Sequence, residues 1–126
     1  MSRKSQQKIT RKTNPRIPAL ISVLKDASRD NDAPIWRNIA KRLEKPSRQY
    51  DSVNLSTINR HSIENEVVIV AGKVLGAGAI GHAVTVVALG FSGVAAEKIT
   101  DVGGKCLTIE QILNEIPSGS GIRILQ

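Results

Sequence analysis

The first half of the chain carries apolar residues at helical spacing. The first series has members three or four positions apart, at Ile17, Leu20, Ile21, Leu24 and Ala27. Such spacing gives one apolar helix face. Asn14 can cap free backbone N–H groups and Pro15 is tolerated in a first turn. The pattern therefore predicts a helix that opens at Asn14-Pro15 and ends within residues 28–32.

A second apolar series predicts another helix, which begins near Ala33-Pro34 and stops at Pro46. Its predicted core face consists of Ile35 or Trp36, together with Ile39, Ala40 and Leu43. The opposite side of this helix carries Arg37, Lys41 and Arg42. Both helices are therefore predicted to have basic outer faces.

From about residue 53 the pattern changes to short runs rich in β-branched residues, which are typical of strands. Strands are predicted at residues 53–55, 67–70, 74–75, 84–89 and 122–125. Two short helices are predicted among them, at residues 94–99 with Ser92 as the cap and at residues 107–116 with Thr108 as the cap. This order of elements predicts an α/β fold that follows two helices.

Charge is distributed unevenly along the chain, which has a net charge of +7. Residues 1–60 hold 14 basic and 5 acidic side chains, whereas residues 61–126 hold 4 basic and 6 acidic ones. Residues 1–13 contain no acid and too few apolar residues to fold alone, so we predict a basic tail that becomes ordered on RNA. Residues 14–126 are predicted to form a single globular domain. The asymmetry favours a polyanion partner, and the alternative is a basic face kept for solubility.

Composition excludes several classes of protein. Aromatic residues are only 2% of the chain, which nearly excludes a platform that stacks bases. The single cysteine, Cys106, excludes an internal disulfide. No apolar run approaches the roughly 20 residues needed to cross a bilayer. The first 16 residues have no apolar segment, so a secretory signal is not expected there.

The stretch GAGAIG, residues 76–81, matches the dinucleotide-binding fingerprint G-x-G-x-x-G. That fingerprint requires a strand before the turn and a helix after it, because the helix N-terminus receives the pyrophosphate. Residues 82–87, HAVTVV, favour a strand, so cofactor binding is not expected. Two interpretations remain open. The glycines either serve a close passage of backbones, or they let the loop approach an RNA backbone with Lys73 nearby.

Other candidates for chemistry are weak. His61, His82 and Cys106 provide no spaced set of four zinc ligands. His61 is interpreted as a polar or RNA-facing loop residue and His82 as a turn residue. Cys106 is interpreted as a small buried hydrophobe. The acidic residues are scattered, so no Ser/His/Asp set is nominated and no catalytic residue or metal site is predicted.

The basic residues are the remaining candidates for function. Arg binds phosphate with parallel hydrogen bonds and Lys acts as a point charge, so recognition of RNA shape and backbone is expected. The RNA-binding residues inferred from charge are Arg3, Lys4, Lys8, Arg11, Lys12, Arg16, Arg37, Lys41, Arg42, Arg48, Arg60 and Lys73. Charge alone does not exclude DNA.

Several stretches in this order resemble a known family: KTNPRIPALISVLKDASRDNDAPIWRNIAKRLEKPSR, VNLSTINR, VVIVAGKVLGAG, VTVVALGFSGVAAEKI and LTIEQIL. They look like the archaeal and eukaryotic large-subunit ribosomal protein called eighteen-e, which is related to the bacterial large-subunit protein numbered fifteen. The similarity runs from about Lys12 to the C-terminus. The length resembles that of archaeal members.

The resemblance implies an α/β fold with an irregular ββα superhelical core of short strands and helices, preceded by two helices and a basic N-terminal tail. It implies a non-catalytic constituent of the large subunit in the cytoplasmic ribosome. It also implies that the glycine-rich segment at residues 72–81 is a structural loop, with Gly72, Gly76, Gly78 and Gly81. The implied partners are large-subunit ribosomal RNA and neighbouring ribosomal proteins, without a cofactor, a metal, a membrane or a small-molecule substrate. The alternatives are a free-standing basic nucleic-acid-binding protein and a small dinucleotide-binding enzyme.

Overall fold

The computed structural model describes residues 16–46, 50–119 and 121–125. The predicted helix start at Asn14-Pro15 lies outside these residues. The chain divides into two compact units with the boundary between Tyr50 and Asp51, and each unit is described by itself. The prediction of one globular domain over residues 14–126 stays a prediction.

The N-terminal unit is a pair of helices, α1 (Arg16–Asp30) and α2 (Pro34–Leu43). The two apolar series predicted from the sequence form its core, with Ile17, Leu20 and Leu24 from α1 and Trp36, Ile39, Ala40 and Leu43 from α2 buried. Trp36 is fully buried whereas Ile35 is half-buried, so Trp36 is the core residue of the two alternatives. The hydroxyl of Tyr50 donates to the carbonyl of Leu43 at 2.8 Å, and burial raises the pKa of Tyr50.

The C-terminal unit contains short parallel strands in two sheets. Its strands are β1 (Asp51–Asn54), β2 (Val67–Val70), β3 (Gly72–Leu75), β4 (Thr85–Ala88), β5 (Gly90–Phe91), β6 (Lys105–Thr108) and β7 (Ile122–Leu125). One sheet has the order β1-β3-β5 and the other has the order β6-β4-β2-β7. Every strand pair is parallel. Parallel neighbours need crossover connections, which explains why short helices alternate with the strands.

Three helices supply these connections: α3 (Leu55–His61), α4 (Gly93–Asp101) and α5 (Ile109–Glu115). The predicted caps are confirmed. The hydroxyl of Ser92 accepts from the amide of Ala95, and Thr108 forms a reciprocal capping box with Gln111. The α/β class predicted from the sequence is therefore confirmed.

The secondary structure differs from the prediction in several places, two of which concern the choice between strand and helix. Residue 55 was predicted to end a strand, but Leu55 begins α3, because Leu55 and Ile58 bury one helical face after Asn54. The predicted helix at residues 107–116 begins only at Ile109, since Lys105–Thr108 pairs as an edge strand with β4. In both places tertiary packing decides between strand and helix within a run of two or three residues.

Candidate nucleic-acid interface

Helix α2 presents a basic row on its exposed side. Arg37 and Lys41 are exposed, and neither makes a hydrogen bond or ion pair within the part of the chain that the structure describes. They are four residues apart, so their side chains lie next to each other on the helix surface. The helix contains no acidic residue. A like-charge pair at this spacing destabilises a helix by a few tenths of a kcal/mol, so the pair does not stabilise α2.

Other cations of this unit have protein partners. Lys25 donates to Glu44 at 3.2 Å, and Arg29 is paired with Asp26. The Nε of Arg42 donates to the side chain of Asn38 at 2.9 Å. Arg16 is half-buried and also has a protein partner. The predicted basic face of α2 is therefore carried by Arg37 and Lys41 more than by Arg42.

Helices α1 and α2 border an open groove of about 900 Å³. Arg37 and Lys41 line it together with both ion pairs, Lys25 to Glu44 and Arg29 to Asp26. The ion-paired Lys25 and Arg29 were not among the predicted contacts.

In the C-terminal unit, the predicted contacts Arg60 and Lys73 are exposed and without a partner in the described residues. Lys73 stands on β3 in register with Ser52 and Gly90, on the face opposite the buried Val74. Lys105 is likewise exposed, although the charge reasoning did not select it.

Two further cations of this unit bind the protein itself. The ammonium of Lys98 donates to the carbonyls of Gly76 and Gly78, at 3.0 Å each. Arg123 donates to the carboxylate of Glu66 at 3.1 Å and to the carbonyl of His61 at 3.3 Å. The role of Lys98 was missed, because no sequence signal links it to carbonyls about 20 residues earlier.

The glycine-rich loop does not form a dinucleotide cradle. It follows β3 and leads into β4, so no helix begins after Gly81. The loop lies instead along α3: the amide of Ser56 donates to the carbonyl of Ala77 at 3.2 Å, and the amide of Gly81 donates to the side chain of Asn59 at 3.0 Å. The prediction that a strand rather than a helix follows the glycines is confirmed.

Backbones pass closely at three of the four predicted glycines. A Cβ at Gly72 would overlap the carbonyl of Asp51, and one at Gly76 would lie 2.7 Å from the side chain of Val94. At Gly78 the φ is +88° and a Cβ would lie 2.6 Å from Ser56. At Gly81 the nearest atom would be 3.8 Å away, so that position has room for a side chain.

The contact between Ser62 and His82 in this unit does not activate the serine as a nucleophile. The hydroxyl of Ser62 lies 2.5 Å from the carbonyl of Ile58 and 2.9 Å from Nε2 of His82. Since a carbonyl only accepts, the hydroxyl proton goes to Ile58 and His82 donates to Ser62. His82 therefore holds the helix end and does not act as a base towards Ser62.

Cys106 is half-buried on β6, and burial raises the pKa of its thiol. The thiol form is thus favoured over the nucleophilic thiolate. Within the described residues, no group of three or more His, Cys, Asp or Glu could hold a metal ion. Among the helices that the structure describes, none is long and apolar enough to cross a membrane.

Part of the predicted interface lies outside the described residues. These residues are Arg3, Lys4, Lys8, Arg11 and Lys12 of the tail, and Arg48. Their contacts with RNA stay predictions, as do those of the described residues.

Exposed cations that have no partner among the described residues are typical of nucleic-acid-binding proteins. The family described as "Ribosomal protein 60S L18 and 50S L18e" matches residues 1–126. The chain belongs to this family, and the resemblance recognised in its sequence is confirmed.

Archaeal relatives are similar over nearly the whole chain. The large ribosomal subunit protein eL18 of Methanoregula boonei is 55% identical over 115 residues, which cover 91% of this chain and 95% of the relative. The proteins of the same name from Archaeoglobus fulgidus and Halobacterium salinarum are 49% and 45% identical, each over 91% of this chain and 98% of the relative.

Proposed function

We propose that this chain is a structural constituent of the large ribosomal subunit and that it binds folded ribosomal RNA through phosphate and shape contacts. The family match over residues 1–126 carries the first part of this proposal. Its partners are ribosomal RNA and other ribosomal proteins, and its role is architectural rather than catalytic.

The basic row of Arg37 and Lys41 supports phosphate binding in particular. Both side chains are exposed, and neither is neutralised by a described residue. Lys41 also lies in the last turn of α2, where a positive charge is favourable to the helix dipole. Arg37 has no such structural role, so it is the better residue on which to test RNA binding.

Charge reversal at Arg37 separates binding from folding. The Arg37→Glu variant places Glu four residues before Lys41, which replaces a repulsive pair by an attractive one worth about 0.2–0.5 kcal/mol. The matched control is Lys105→Glu, which makes the same change of net charge at an exposed residue of β6. We expect both variants to melt within a few degrees of the parent.

Binding of each protein to large-subunit RNA is then measured between about 50 and 200 mM salt. If the tail neutralises roughly six phosphates, the slope of log affinity against log salt for the parent is about −4 to −5. Arg37→Glu should lower the affinity about tenfold or more and reduce the slope by about 1, whereas Lys105→Glu should have a smaller effect. Equal losses in both variants would overturn the role of Arg37. Equal affinity of the parent for duplex DNA would indicate a free-standing nucleic-acid-binding protein.

A further inference from the structure

Three charged residues follow one another along the exposed side of α2. Arg37 and Lys41 are about one turn apart, and Glu44 stands three residues after Lys41 as the C-cap of the helix. The backbone of Glu44 is still helical, with a φ of −74° and a ψ of −16°, and its amide donates to the carbonyls of Ala40 and Lys41. Residues three positions apart on such a backbone are neighbours on the helix surface. Glu44 is therefore placed to form an ion pair with Lys41.

The ion pair that the structure shows is a different one. The carboxylate of Glu44 accepts from the ammonium of Lys25 at 3.2 Å, which links the end of α2 to α1. Lys41 makes no hydrogen bond or ion pair with any described residue. The carboxylate next to Lys41 is thus neutralised from the other helix, and Lys41 keeps its full charge for a ligand.

The pair of Lys25 with Glu44 affects the charge of the groove that both residues share with Lys41. A released carboxylate at residue 44 would attract the ammonium of Lys41 and repel a phosphate. Bound to Lys25, the same carboxylate adds no net charge. The pair is half-exposed, with 49% of the Lys25 side chain and 46% of the Glu44 side chain accessible, and such pairs contribute little to stability. Its effect on the charge of the groove can therefore be tested without unfolding the two helices.

We propose that Lys25 is a positioning residue for RNA binding: by holding Glu44, it keeps Lys41 available to a phosphate of the ribosomal RNA backbone. Lys25 acts through Glu44 and does not itself contact the phosphate. This inference rests on the proposed function, because the phosphate is taken to belong to ribosomal RNA.

The variant Lys25→Met releases Glu44, which then pairs with Lys41. We expect the affinity of the full chain for large-subunit RNA to fall about tenfold at about 0.1 M salt, and the salt slope to decrease by about 1, as for one lost phosphate contact. Lys25 is exposed, so the variant should fold, and thermal melting checks this. Lys25→Ala, which suits a helix better, replaces it if Lys25→Met does not fold.

Removal of the released carboxylate should restore binding. Lys25→Met/Glu44→Gln has the net charge of the parent and leaves Lys41 unpaired, so we expect an affinity within about twofold of the parent. The matched control is Lys25→Met/Glu97→Gln, which has the same net charge but loses its carboxylate from an exposed residue of α4. This control should stay as weak as Lys25→Met alone. Equal affinities of the two double variants would overturn the proposal.

A second background separates action through Glu44 from a direct contact of Lys25 with RNA. In a chain that already carries Lys41→Met, the released Glu44 has no lysine to neutralise, so Lys25→Met should lower the affinity by about twofold or less. A further loss of about tenfold in this background would show that Lys25 binds a phosphate itself, and would overturn the proposal. A parent chain that does not bind large-subunit RNA at all would instead overturn the proposed function.

Discussion

On α2 of the N-terminal unit, Arg37 and Lys41 face solvent and bind no described residue. In the C-terminal unit, Lys98 and Arg123 have the same charge but bind backbone carbonyls, and Arg123 also binds Glu66. Counting charges treats the four residues alike. Their hydrogen bonds separate cations that are available to RNA from cations that hold the loops of their own fold.

The largest effect on the stability of the N-terminal unit is expected at Trp36, which is fully buried. We expect Trp36→Ala to lower the free energy of unfolding by about 3–5 kcal/mol, because it removes a large side chain and leaves a cavity. Ile35→Ala, at the half-buried neighbour, should cost clearly less. Urea denaturation followed by circular dichroism measures both.

Labelling of Cys106 tests whether Trp36→Ala also destabilises the C-terminal unit. Its thiol is half-buried on β6, so labelling of the thiol in urea reports unfolding there. If residues 14–126 form one cooperative domain, as the sequence predicts, Trp36→Ala should shift the labelling transition as far as it shifts the circular dichroism transition. An unchanged labelling transition would show that the units unfold independently.

We next compare a lysine that binds its own protein with a lysine that has no described partner, using the variants Lys98→Met and Lys73→Met. Lys98→Met removes the donor to two carbonyls, and we expect the free energy of unfolding to fall by about 1–3 kcal/mol. Lys73 is exposed and has no described partner, so Lys73→Met should change stability by less than about 0.5 kcal/mol. Thermal unfolding measures the loss of stability in both variants. Equal losses of stability would show that the two lysines do not differ in this way.

A smaller effect is expected at the cap of α5. Thr108→Ala removes the hydroxyl that accepts from the amide of Gln111, at a cost of about 1 kcal/mol. Thr108→Ser keeps the hydroxyl and should cost less than half as much. Chemical denaturation distinguishes the two variants, and equal losses would contradict the capping role.

The sequence predicted best those features that depend on neighbours in the chain. The 3-to-4-residue spacing around Leu20 and Leu24 gave α1, and the side chains of Ser92 and Thr108 identified two helix caps. The residues after Gly81 correctly predicted a strand, which argued against a dinucleotide site. Each of these signals lies within a few residues of the feature it predicts.

Features that depend on distant residues were not predicted. The parallel pairing of β2 with β7 joins residues 67–70 to residues 122–125, and no local pattern specifies it. The assignment of α3 was missed because Leu55 suits a strand as well as a helix until its burial is known. The role of Lys98 was also missed, because its hydrogen-bond partners are the distant carbonyls of Gly76 and Gly78.

Membership of the large subunit is tested most directly by sedimentation of the full chain in a lysate of cells that produce it. The lysate is separated on a sucrose gradient at moderate magnesium, and again after a high-salt wash. We expect stable co-migration with large subunits, with progressive release only as salt screens the phosphate contacts. A chain found solely at the top of both gradients would contradict its role as a constituent of the large subunit.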